Sequence, residues 1–136
     1  MQPAEEVGKS AATRTLARLG ARKPQTGQFP VIYDRRVAAS LVSTMASAIN
    51  GANITRGTSF LKDSLGKQVA SKGLNFIDDP LRPRGLGSRV FDGEGLAVKQ
   101  RVMIDDGVLT GWFLDLASAT KLCMPPTGNA RRGLGS

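Results

Sequence analysis

The sequence predicts an α+β protein: two N-terminal helices followed by a mostly antiparallel sheet, with a β-hairpin near residues 97–114. Three observations carry this. Apolar residues recur at helical spacing over 35–50. An Asp-Gly turn lies between two apolar-rich runs further on. Helical patterning comes first and strand-like patterning follows, with no internal repeat or heptad.

The first helix is expected over 3–19. Pro3 suits an initial helical position, and Glu5 and Glu6 favour the positive end of the dipole. Ala4, Ala11, Ala12, Thr15, Leu16 and Leu19 share one face, and Gly20 is placed to cap the C-terminus. Residues 1–28 read as helix and linker, and 29–136 as part of a larger domain. Phe29 to Tyr33 is a strand candidate. Asp34 then caps the second helix, whose Val37, Leu41, Val42, Thr44, Met45, Ala48 and Ile49 share one face. Arg36, Ser40, Ser43 and Ser47 occupy the other. Thr58–Leu61 and Lys67–Ala70 fit helical turns or short strands equally. Leu74 to Ile77 alternates as a strand does, and residues 78–95 are rich in turn chemistry. Ala97–Ile104 and Val108–Leu114 flank Asp105-Asp106-Gly107 as hairpin arms. Ala117 to Met124 is a short helix stopped by Pro125-Pro126, and a loop follows.

Composition narrows the chemistry. Among 136 residues there is no histidine and one cysteine, Cys123. Histidine triads, His-ligated zinc and thiolate clusters are thereby excluded within the chain. Cys123, beside Met124 on an apolar segment, reads as a packing residue. The net charge of +8 is spread as +3 over 1–23, +4 over 24–77 and +1 over 78–136. That spread fits a solvated basic surface rather than the dense stripe of a nucleic-acid binder. The N-terminus lacks the apolar core of a signal peptide, and no apolar run is long enough to span a bilayer. A cytoplasmic location is expected, with no membrane partner. Gly66-Lys67 fails as a P-loop because Leu61 and Gln68 stand where glycine and Ser/Thr are needed. Gly85-Leu86-Gly87 lacks the third dinucleotide-motif glycine. Asp78/Asp79, Asp92/Glu94 and Asp105/Asp106 are paired acids suited to acid–base work or a hard cation, but their settings favour turns.

A set of ordered motifs then points to a family. These are Arg56-Gly57-Thr58-Ser59-Phe60-Leu61, Leu65 to Ser71, Asp78-Asp79-Pro80, Arg84-Gly85 and Phe91-Asp92-Gly93-Glu94-Gly95. Asp106-Gly107, Leu109-Thr110-Gly111, Lys121 to Met124 and Thr127-Gly128-Asn129-Ala130 complete it. In this order they resemble the TldD/PmbA family, also called modulators of DNA gyrase, over about residues 29–133. The resemblance implies a cytoplasmic peptidase complex of two related subunits acting on small or unfolded peptides. In the TldD-type subunit a helical His-Glu-x-x-x-His motif binds zinc. Counting back from Arg56, its two histidine positions fall at Val42 and Ser47 and its glutamate at Ser43, so the motif is degenerate here. The chain thus resembles the middle-to-late part of the PmbA/TldE-type subunit, the partner without the metal motif. The resemblance implies no catalytic residue, no metal and no cofactor in this chain, with zinc expected in a TldD-type partner. Gly93, Gly95, Thr127, Gly128 and Asn129 are candidate peptide contacts through strand addition. A truncated sheet edge is also an expected route to self-association. The alternative function is a basic module that binds nucleic acid or DNA gyrase.

Overall fold

The computed structural model describes residues 3–132. The chain divides into a first unit ending at Ile32 and a second beginning at Tyr33. The first contains α1, Ala4–Leu16, with Pro3 at the N-cap and no buried residue. Its acidic first turn and a Lys9–Glu5 ion pair of 2.8 Å at i,i+4 support it locally. The helix ends three residues earlier than its pattern suggests: Arg18 and Leu19 bond back in tighter turns, and Gly20 turns left-handed at φ 73°. Phe29–Tyr33 forms no strand. Pro30 removes a ladder donor, and no strand pairs with this segment among the described residues.

The second unit is α+β. Helix α2, Arg35–Ala48, starts where Asp34 accepts from Arg36 N at 2.9 Å. A short helix, α3, Gly51–Thr55, follows after Asn50 caps it through Ala52 N. Strands β1 (Phe76–Asp78), β2 (Arg101–Asp105) and β3 (Val108–Leu109) form an antiparallel sheet in that order. A register shift between Phe76 and Ile77 bends the β1–β2 pair. Helix α4, Leu116–Leu122, is capped by Asp115 and closes with Cys123 left-handed at φ 52°. No described helix is long and apolar enough to cross a membrane.

The hairpin is where the sequence expects it, with shorter arms. Asp106 and Gly107 both have positive φ, the type I′ arrangement that matches strand twist. The first arm starts at Arg101 rather than Ala97, because the preceding segment is drawn elsewhere: Ala97 bridges Phe91, and Val98 N donates to Val90 O. The core gathers Ile49, Met103, Ile104, Leu109 and Leu114, with Trp112 and Ala119 beside them. Of the apolar face expected on α2, only Met45, Ala48 and Ile49 join it. Val37, Leu41 and Val42 are exposed, since the core cluster reaches only the C-terminal end of the helix. Cys123 is exposed as well, lifted out of packing by its left-handed cap position.

Buried Ser59 pins the helix end to the following turn. Its hydroxyl donates to Ala48 O, one of the carbonyls a helix C-terminus leaves open, and accepts from Leu61 N at 3.0 Å. Ser59→Ala strands both groups and is expected to cost about 1–3 kcal/mol, read as a lowered urea midpoint with unchanged slope.

Candidate functional site

A cleft of about 810 Å³ opens within the second unit. One wall is α2, which presents Val42, Ser43, Ala46 and Ser47 at successive-turn spacing. The other walls include Asn53 of α3, Arg56 at its C-cap, the whole of β1, Arg89, Asp115, and Asn129 to Arg131. Among the described residues β1 pairs with β2 alone, so it is an edge strand of the sheet, and its residues line this cleft. The opposite edge is different. Around β3, Leu109 N donates to Lys67 O at 3.0 Å and Gly66 N donates to Leu109 O at 2.8 Å, so a loop covers it.

The polar walls are tied together by side-chain bonds. Asn53 Nδ2 donates to Ser47 O at 2.8 Å, and its Oδ1 accepts from Arg56 Nη2 at 2.7 Å. Asn129 Nδ2 donates to Asp78 Oδ2 at 2.8 Å. Asp115 accepts from Ser118 N at 2.8 Å. Hydrogen bonds from Ser118 hold the Asp115 carboxyl below the ordinary range; burial opposes them and the Arg132 charge assists.

Behind the cleft, the Gly-rich turn and the C-terminal segment lock together. Asp92 Oδ1 accepts from Glu94 N and Leu96 N, both at 2.9 Å, and Oδ2 accepts from Ala130 N at 3.0 Å. Burial pushes the Asp92 pKa up, but the amides of Ala130, Leu96 and Glu94 and the Arg89 charge outweigh it, so the value falls below its ordinary one. Glu94 accepts from Leu116 N at 2.9 Å and pairs with Arg132. Both carboxylates of this pair are therefore committed to holding main chain in place, in keeping with the turn chemistry around them.

The structure distributes the candidate residues unevenly. Val42, Ser43, Ser47 and Asn129 share the cleft. Thr127 is buried, accepting from Leu114 N at 2.7 Å, and Gly128 is buried against Ala97 O. Gly93 lies against the C-terminal segment, its N–H donating to Ala130 O at 3.0 Å. Gly95 sits at φ 79° with open space where a side chain would be. Arg56, Arg89, Arg131 and Asp115 line the cleft, of which the sequence marked only Arg56, as the start of a family motif. They come from four separate segments, so no spacing signal joins them. Asn53 is the link between α2 and Arg56.

The resemblance puts a zinc motif's ligand and base positions at Val42, Ser43 and Ser47. Valine offers no donor, and serine is a poor zinc ligand, so Val42, Ser43 and Ser47 do not fit the metal. Among the described residues no group of three or more His, Cys, Asp or Glu is arranged to hold one.

Comparison with known proteins places this geometry. A family model described as the PmbA/TldA metallopeptidase C-terminal domain matches residues 26–136. The chain is 42% identical over 130 residues to the metalloprotease PmbA of Escherichia coli O157:H7, covering 96% of this chain and 29% of that protein. A Thermotoga maritima crystal structure, described as a modulator of a DNA gyrase, superposes with a TM-score of 0.86 at 31% identity, covering 97% of this chain and 31% of that one. TldE from Thermococcus kodakarensis matches with a TM-score of 0.66 at 28% identity over 74% of this chain and 23% of that one. The chain thus spans under a third of the length of each of these relatives. By its motifs, its fold and the extent of these matches, the chain belongs to the PmbA/TldA metallopeptidase family and corresponds to its C-terminal domain.

Proposed function

We propose that this chain is part of a non-catalytic PmbA/TldE-type subunit, which holds peptide beside a TldD-type partner that supplies zinc. The observation that carries the reading is the cleft wall on α2. Val42, Ser43 and Ser47 face the cavity at the metal-motif positions without a competent ligand or base. The helix keeps the position that the chemistry of its sister would need, and the chemistry is gone. Strand β1 adds a way to hold substrate: an edge strand lining a cleft pairs with extended peptide backbone whatever the peptide's sequence. That suits small or unfolded peptides. On this reading the complex works in the cytoplasm in proteolysis and peptide maturation, and the cleft binds rather than cuts.

The test is reconstitution of the full-length parent with a zinc-bearing sister subunit. Co-purification is expected, with peptide cleavage in the mixture and none from the parent alone. Metal-dependent cleavage by the parent alone overturns the reading. The +8 charge favours one competing reading, binding to nucleic acid. Electrostatic binding of that kind strengthens steeply at low salt, so a DNA titration showing none there removes it.

A further inference from the structure

The cleft walls carry three guanidiniums against two carboxylates, and the Arg89 charge also acts on buried Asp92. The guanidiniums are those of Arg56, Arg89 and Arg131, and the carboxylates those of Asp78 and Asp115. Each acid already accepts a hydrogen bond: Asp78 from Asn129, and Asp115 from Ser118 N as the cap of α4. Among the described residues the ion pairs are Lys9–Glu5 and Arg132–Glu94, so none of the three cleft guanidiniums has a carboxylate within salt-bridge reach. Arg56 spends one donor on Asn53 Oδ1. Arg89 Nη1 reaches Gly87 O at 3.2 Å, while its Nε is buried without any partner. The shielded Nε is out of a ligand's reach, but a guanidinium carries five N–H donors, so each of the three side chains keeps donors to spare beyond these bonds.

We propose that the cleft binds a carboxylate of its peptide ligand through Arg56, Arg89 and Arg131. This rests on the reading of the cleft as a peptide site and names what the site selects. Guanidinium is suited to the task because its planar fork meets both oxygens of a carboxylate, and the bonds are charge-assisted. Asp78 and Asp115 make no ion pair with the three arginines. The edge of β1 and the arginines wall the same cavity, so backbone pairing and carboxylate capture are available to one ligand.

Calorimetric titration of the full chain with four short peptides of one sequence tests this. They carry a free C-terminus, an amidated C-terminus, an amidated C-terminus with one internal glutamate, or that glutamate replaced by glutamine. One of the two carboxylate-bearing peptides is expected to bind about tenfold more tightly than its neutral counterpart, and which one identifies the source as chain end or side chain. Arg56→Gln, a change at an exposed position, and Arg89→Lys, which keeps charge but loses the fork, are each expected to erase most of that difference. Equal binding of acidic and neutral peptides, unchanged by either substitution, overturns carboxylate selection and leaves the peptide-site reading standing. Binding of no peptide overturns both.

Discussion

Gly107→Ala is expected to destabilise the second unit by about 2–5 kcal/mol, among the largest effects of any single substitution here. Two costs combine. Gly107 has φ 81°, where an L side chain is strained by about 1–2 kcal/mol. A Cβ there would also overlap Gln68 Nε2 and the Ala70 carbonyl oxygen and lie 2.7 Å from that of Ser71. The obstruction is main chain that cannot give way, because it is bonded to the turn. Val69 N and Ala70 N donate to Gly107 O at 2.9 and 3.1 Å, and Gly107 N donates to Leu74 O at 2.8 Å. Gly57→Ala is the control: φ is 71° but space is open, so only the conformational cost of about 1–2 kcal/mol should appear. Urea denaturation of both variants separates strain from overlap, and equal losses would show that the hairpin tip tolerates a side chain.

Asp92→Asn should lower stability by about 2–4 kcal/mol at neutral pH. Asparagine keeps the shape but has one acceptor oxygen, and either orientation sets its NH₂ against a backbone N–H. With Oδ1 taking two amides and Oδ2 taking a third, one part of the turn must lose its anchor. The pH dependence has a definite sign. The folded pKa of Asp92 lies below its ordinary value of 3.8, so the unfolded chain takes up a proton first as pH falls. The stability due to this carboxylate is fully present above that ordinary value and is lost as pH drops through the folded pKa. The gap between native and variant chains should therefore be widest near neutral pH and narrow in acid. A gap independent of pH would mean that packing, not the charge, holds the turn.

The parts of this protein legible in sequence are those governed by neighbours along the chain. Asp34 before a helical period gave the start of α2. Asp106-Gly107 between apolar runs gave the hairpin, because only residues tolerant of positive φ make a two-residue turn of the right twist. The resemblance assigns its zinc-motif positions to Val42, Ser43 and Ser47, and these residues lie on α2. What failed was local as well. Phe29–Tyr33 has strand composition, but a strand exists only where another pairs with it. The apolar face of α2 has the right period along its length, but burial needs a second surface, and the core reaches only Met45, Ala48 and Ile49.

By itself the sequence determined the class of fold, the start of α2 at its Asp34 cap, the Asp106-Gly107 turn, the family, and the impossibility of histidine chemistry in this chain. Only the tertiary structure decided which residues share the cleft. Arg56, Arg89, Arg131 and Asp115 lie far apart along the chain and meet because Asp92, Glu94 and Thr127 fasten the turns and the C-terminal segment to the rest of the unit. It also decided that one sheet edge is covered by a loop while the β1 edge lines the cleft. Hydrogen bonds between segments tens of residues apart leave no periodic trace, whereas a cap or a two-residue turn is written in adjacent side chains.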